Sequence, residues 1–270
     1  MEELGRLFDG ARPEAVVIAT PHNVHVAGSI GVVVAGRVAG RLSGAPPSVT
    51  LDLPSDTELA WLLLDQLRAT ETPSVGISFG GNDPISAVAP MDWGVLIPLW
   101  FMGGRSEPPV PAVVVTPARD LSPEQHVDAG RAIARAAVAS GRRVAFIASA
   151  DHGHAHVADG PYGFDPMADE YDAVVQGLVE TNSLESLLNI APDMVESAKA
   201  DSWWQMLMLH GATEKGWKGK LISYEAPTYF GMLTAAYSPN DQWQKPVDPV
   251  PSRGTSSPPG TRTRRQTRAR

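Results

Sequence analysis

Short β-branched apolar runs alternate along the chain with longer segments whose apolar residues recur at helical spacing. AVVIAT (15–20), SIGVVVAG (29–36), PSVGISF (73–79), PAVVVTP (111–117), RVAFIASA (143–150) and KLISYEAP (220–227) have the length and composition of strands. SDTELAWLLLDQLRAT (55–70) opens on Ser55 with Glu58 three residues on, a helix start signal, and continues with helical periodicity. SPEQHVDAGRAIARAAVASG (122–141) is a clearer helix: Ser122 caps it, Pro123 takes the first position, Glu124 lies in the first turn and Gly141 closes it. DEYDAVVQGLVE (169–180) and SLESLLNI (183–190) read as helical, and 191–216 as a helix pair. WGVLIPLWFM (93–102) fits a buried helix or a strand, with Pro98 awkward in either.

Strand, loop, helix, strand is the order of an α/β domain with a buried sheet. In such sheets the loops beyond the carboxyl ends of the strands carry function. Two polar segments sit at such ends, PHN at 21–23 and DHGHAH at 151–156. No internal repeat is visible.

Composition narrows the chemistry. A chain of 270 residues, 43% hydrophobic, can bury a sizeable core. It has no run of about 18 uncharged apolar residues, so no membrane span is expected. The acidic, amphipathic start MEELGRLFDGARPE is unlike a secretory signal, and a cytoplasmic location is the expectation. With no cysteine, disulfides, thiolate metal sites and cysteine nucleophiles are excluded. The net charge of −8 is uneven: from Ser252 onward there are six arginines and no acid. The rest therefore holds 16 basic residues (22 less 6) against all 30 acids, which argues against nucleic-acid binding by the body. The Pro/Ser/Arg-rich segment 239–270 is expected to be a disordered tail.

Three of the seven histidines, His152, His154 and His156, alternate within SADHGHAH. On a strand they would share one face, as metal ligands, a proton-transfer site or a polar loop. His22 and His25 are three apart and face opposite sides of an extended segment, so one of them can enter a shared pocket. Glu225 lies at the end of the last strand, before a proline turn. Two histidines and one carboxylate suit Fe(II), with Mn or Zn as lesser alternatives. His126, in a first helical turn, is expected to be exposed, and His210 to sit favourably at a helix C-terminus.

The succession ATPHN (19–23), MDWGVLIPLWFM (91–102), IASADHGHAH (147–156), GPYGFDP (160–166), AKADSWWQMLMLHGA (198–212) and YEAPTYFGM (224–232) resembles the class III extradiol ring-cleavage dioxygenases. Specifically it resembles the catalytic B-type subunits of the protocatechuate 4,5-dioxygenase superfamily, over roughly residues 13–238. The resemblance implies one α/β domain, placed at 1–238, with a central mixed, largely buried sheet flanked by helices. It implies ferrous iron held by two histidines and a glutamate, with His22 and Glu225 as ligands here. It implies acid–base work for His154, with His152 second and Asp151 beside the substrate. The implied partners are a catechol-type or aminophenol-type aromatic and O2, with a homodimer or a small second subunit possible in the family.

Two departures stand out. The family's other histidine ligand lies on a strand ahead of the PHN strand, whereas MEELGRLF already reads as the following helix. The expectation is a shortened chain with a start upstream; the alternative is an incomplete, inactive site. Where many members have Asp-His-Gly, this chain has Asp92-Trp93-Gly94, so Trp93 implies a changed substrate pocket. Two other functions compete: a zinc hydrolase using the H-x-H pattern, and a non-catalytic partner subunit.

Overall fold

The computed structural model describes residues 1–44, 48–80, 83–214 and 216–239. In chain order the elements are α1 (Glu2–Ala11), β1 (Ala15–Ala19), β2 (Ile30–Val33), β3 (Arg37–Leu42), β4 (Val49–Pro54), α2 (Thr57–Arg68) and β5 (Ser74–Ile77). A 3-10 turn (Pro84–Ser86) leads to β6 (Val88–Pro90), α3 (Trp93–Phe101), β7 (Ala112–Thr116), α4 (Pro123–Ala139), β8 (Val144–Ala148) and α5 (Met167–Thr181). A second 3-10 stretch (Leu184–Asn189) precedes α6 (Pro192–Ser197), α7 (Trp203–Thr213), β9 (Trp217–Glu225) and β10 (Met232–Pro239).

The central sheet runs β5-β2-β7-β1-β8. Its β1 is parallel to both β7 and β8, while β2 is antiparallel to β7 and parallel to β5, so the sheet is mixed as expected. β1 and β7 are buried along their whole length, which is why they read as unbroken apolar runs. Successive residues still divide between two cores. Val17, Ile30, Val113 and Val115 pack against α2 and α4 on one face. Val16, Ile18, Val33 and Val114 pack against Phe8 of α1, α3 and the sheet β4-β3-β6 on the other. A third core joins α5, α6 and α7 to the β9–β10 hairpin.

The ambiguous 93–102 segment is helix α3, because Asp92 caps it by accepting the Val95 N–H at 3.1 Å. The 183–190 segment is a 3-10 helix, and 191–216 is indeed a helix pair. The strands β3, β4, β6 and β10 have no counterpart in the sequence reading. In β3 Val38 alone is fully buried, so the strand carries almost no apolar signal.

One expectation is overturned. His126 is 0% exposed, not a surface residue. Helix α4 is packed against both α2 and α7, so even its first turn is covered. The expected tail falls, beyond Pro239, outside the described residues. Among those described, no helix is long and apolar enough to cross a membrane.

Candidate active site

β1 and β8 are parallel neighbours, so their carboxyl ends emerge side by side. The Ser149 N–H still donates to the Ala19 carbonyl at 2.9 Å, which extends the pairing one step beyond the strands. The PHN and DHGHAH segments are thereby brought together, and His22 Nε2 lies 2.8 Å from Asp151 Oδ2. Asp151 is 5% exposed.

The surroundings of this pair are acidic. Burial opposes charge on His22, but the hydrogen bond to Asp151 and the negative charges of Asp151, Asp201 and Asp92 outweigh it, and the imidazole pKa is raised. Asp92 does more than cap α3: it accepts from Thr20 Oγ1 and from Asn23 Nδ2, both at 3.0 Å, and so fixes the loop that carries His22. Beside it the Trp93 ring centroid lies 4.4 Å from that of His22, a stacking partner where the family pattern has a histidine. Gly94 is needed at this crowded point, since a Cβ there would fall 2.9 Å from Thr20 Oγ1.

From Trp93 a row of rings leads to His154. Phe230 lies 6.3 Å from Trp93 and stacks at 5.4 Å on His154, which Tyr162 and Tyr229 also contact. His154 is buried, and its Nδ1–H donates to the His152 carbonyl at 2.8 Å. That bond fixes the neutral tautomer and leaves Nε2 as the basic nitrogen. His154 and Tyr162 line a cavity of about 440 Å³ with Arg119, Lys199, Asp201 and Trp204. Arg119 is paired with Asp201 and lies over the Trp204 ring at 4.9 Å.

The other two histidines of the cluster point elsewhere. His152 is fully buried, with Nδ1 3.0 Å from Ser202 Oγ, which in turn bonds the Tyr171 hydroxyl. Burial lowers its pKa. His156 has both ring nitrogens engaged, Nδ1 with Asp169 at 2.9 Å and Nε2 with Asp172 at 3.0 Å. The three alternating imidazoles thus serve three different sets of partners. His25 bonds the Pro21 carbonyl through Nε2, consistent with its facing away from the His22–Asp151 pair.

Glu225 is the last residue of β9, exposed at the start of the turn that carries Tyr229 and Phe230. Among the described residues no three His, Asp or Glu side chains converge as a metal-holding group. Ferrous iron does not fit the donors as they stand: His22 is committed to Asp151, and Glu225 is not gathered to it. Asp151 engages His22, and the carbonyl of His152 orients His154. Sequence reasoning passed over Asp92, Tyr162, Tyr229, Phe230 and Asp172. The aromatic ones stood inside quoted motifs, and only the folding of the 160–166 and 226–231 segments onto DHGHAH reveals their place.

Known proteins agree with this architecture. Protein CA_C1420 of Clostridium acetobutylicum is 25% identical over 226 residues, 83% of this chain and 48% of that protein. The chain therefore spans about half the length of that curated relative. The crystal structure of the uncharacterized protein JW3007 from Escherichia coli K12 superposes with a TM-score of 0.59 at 17% identity, covering 87% of this chain and 89% of that one, and shares the fold. The model of the catalytic LigB subunit of aromatic ring-opening dioxygenase matches residues 1–234, and this chain belongs to that family.

Proposed function

We infer that the chain opens a catechol-type or aminophenol-type ring beside its hydroxyl groups, an extradiol cleavage that incorporates both atoms of O2. The observation that supports this best is His154: a buried imidazole with Nδ1–H tied to a carbonyl, leaving Nε2 to act, in the wall of a cavity that Tyr162, Trp203 and Trp204 share with charged residues. Ferrous iron is the metal that the family implies for such a reaction, and when bound it would supply Lewis-acid and redox chemistry. His22 and Glu225 are the ligands we assign to it, and holding iron would require His22 to turn from Asp151 and the 225–231 turn to bring Glu225 beside it.

The chain's own residues then have separable tasks. His154 Nε2 takes a phenolic proton and returns it at a later step, the general acid–base work that an imidazole performs. Trp93, Tyr162 and Phe230 offer ring faces and edges to an aromatic substrate. Asp151 holds His22 in place from the adjoining strand end. The cavity is large enough for a single-ring substrate.

The competing zinc-hydrolase reading needs two of His152, His154 and His156 as ligands, and their divergent partners disfavour it. Anaerobic loading with ferrous iron, then a catechol screen following O2 uptake and coloured ring-opened products, separates the two. Zinc-dependent ester or amide hydrolysis without O2 uptake would replace our reading, and inactivity with either metal would favour a partner subunit.

A further inference from the structure

One buried carboxylate has no task in the ring-opening reading. Asp172, on α5, is 2% exposed. Its Oδ1 accepts the Gly153 backbone N–H at 2.7 Å. Its Oδ2 accepts the Tyr224 hydroxyl at 2.6 Å and faces His156 Nε2 at 3.0 Å. Gly153 immediately precedes His154, and Tyr224 immediately precedes Glu225. A single side chain therefore grips the neighbour of each.

The backbone is shaped to admit it. Gly231 donates its N–H to the Gly153 carbonyl and accepts the His152 N–H, both at 3.0 Å, which lays the 229–231 segment along DHGHAH. A Cβ at Gly231 would fall 1.9 Å from Asp172 Oδ2, so any larger residue there displaces the carboxylate or the segment. A Cβ at Gly153 would fall 2.9 Å from Ala168 Cα, so this glycine lets DHGHAH approach α5. His156 closes the arrangement by reaching Asp169 one helical turn before Asp172. Burying a carboxylate is costly unless its lone pairs are filled, and here three protein donors from two segments, DHGHAH and β9, fill them.

We propose that Asp172 is a positioning residue that fixes His154 relative to Glu225 by holding Gly153 and Tyr224 on one carboxylate. What this placement serves rests on the ring-opening reading, whereas the placement itself does not. The substitution Asp172→Asn keeps the shape but removes the charge and puts an NH2 where one oxygen accepted, so the Tyr224 hydroxyl must reverse from donor to acceptor and both grips lose their charge assistance.

The test is histidine-ring NMR on the full chain, wild type against Asp172→Asn, with folding checked by circular dichroism. The His154 resonance should shift or split, while that of His126, on α4, stays in place. On iron-loaded protein with an active catechol, kcat should fall about tenfold or more, with KM changed less than about threefold, as expected of misplacement. An unmoved His154 resonance in folded Asp172→Asn overturns the proposal. Should that variant fail to fold, Tyr224→Phe and His156→Gln each remove one contact, and an unmoved resonance in both overturns it equally. If wild type opens no ring at all, the functional reading falls and the resonance comparison still decides the positioning.

Discussion

His22 Nε2 and Asp151 Oδ2 lie 2.8 Å apart, joining the ends of two adjacent parallel strands. Removing the carboxylate leaves burial as the dominant influence on the imidazole, so in Asp151→Asn the His22 titration midpoint should fall from above 6.5 to below it. In wild type the raised folded pKa means His22 adds stability that is fully present below pH 6.5 and is lost as pH rises through the folded value. Histidine-ring NMR across pH 5 to 8.5 reads both midpoints. An unchanged midpoint in the variant would show that Asp151 does not set the charge of His22.

Turnover should depend on His154 far more than stability does. Replacement by Phe keeps a ring among Tyr162, Tyr229 and Phe230 but removes both nitrogens. General acid–base help of this kind is worth roughly 10²–10⁴-fold, so kcat of His154→Phe should fall by at least about 10² with bound iron retained. Iron content measured beside turnover decides the role: loss of metal would make His154 a ligand.

Glu225 offers the opposite test. It is exposed, with no side-chain hydrogen bond or ion pair among the described residues, so Glu225→Gln should leave the melting temperature within about a degree or two of wild type. If the acid serves the metal, iron affinity should nonetheless drop by at least about tenfold. Equal iron binding by both proteins, measured by anaerobic titration, would remove Glu225 from the site.

These residues differ in how visible they were beforehand. The buried strands β1 and β7 and the capped helix α4 announce themselves because continuous apolar runs and cap residues are local signals. β3 and β10 do not, since half-exposed strands owe their existence to pairing partners far along the chain. His22, Asp151 and His154 were findable from strand ends and motif order. The role of the His152 carbonyl was not, because a backbone group carries no residue identity. Asp172 stayed hidden for a related reason: an acid on an amphipathic helix reads as solvated until three distant partners are folded onto it.

Acid should loosen the fold through His126. Burial lowers its pKa from 6.5, and the Ser122 and Ala118 carbonyls and the charge of Asp120, which favour the protonated ring, do not offset it. The unfolded chain therefore binds a proton near pH 6.5 that the folded chain refuses, and stability falls as pH drops below that value. His152 and His210, likewise lowered by burial, act in the same direction, against the opposite contribution of His22 alone. Urea midpoints at pH 7.5 and 5.5 should show the loss, and His126→Gln should reduce the pH dependence. Equal pH dependence in the two proteins would place the acid sensitivity elsewhere.

The crossing of α4 and α7 is the last place where a small change should tell. A Cβ at Gly211 would lie 2.0 Å from the Val127 carbonyl oxygen, and one at Gly130 would lie 2.0 Å from that of Met208. Backbone atoms in packed helices cannot rotate aside, so Gly211→Ala must push the helices apart. Overpacking of this kind costs about 1–3 kcal/mol, or several degrees in melting temperature at this chain length. The helix propensity of alanine works against that loss by about 1 kcal/mol, so a net fall identifies the contact as the cause. α7 begins at Trp203, next to the Ser202 hydroxyl that meets His152, so the shift should also reach the candidate site. Differential scanning calorimetry with histidine-ring NMR measures both effects. A stabilised Gly211→Ala with an undisturbed His152 signal would mean that the helices do not meet as closely as 2.0 Å implies.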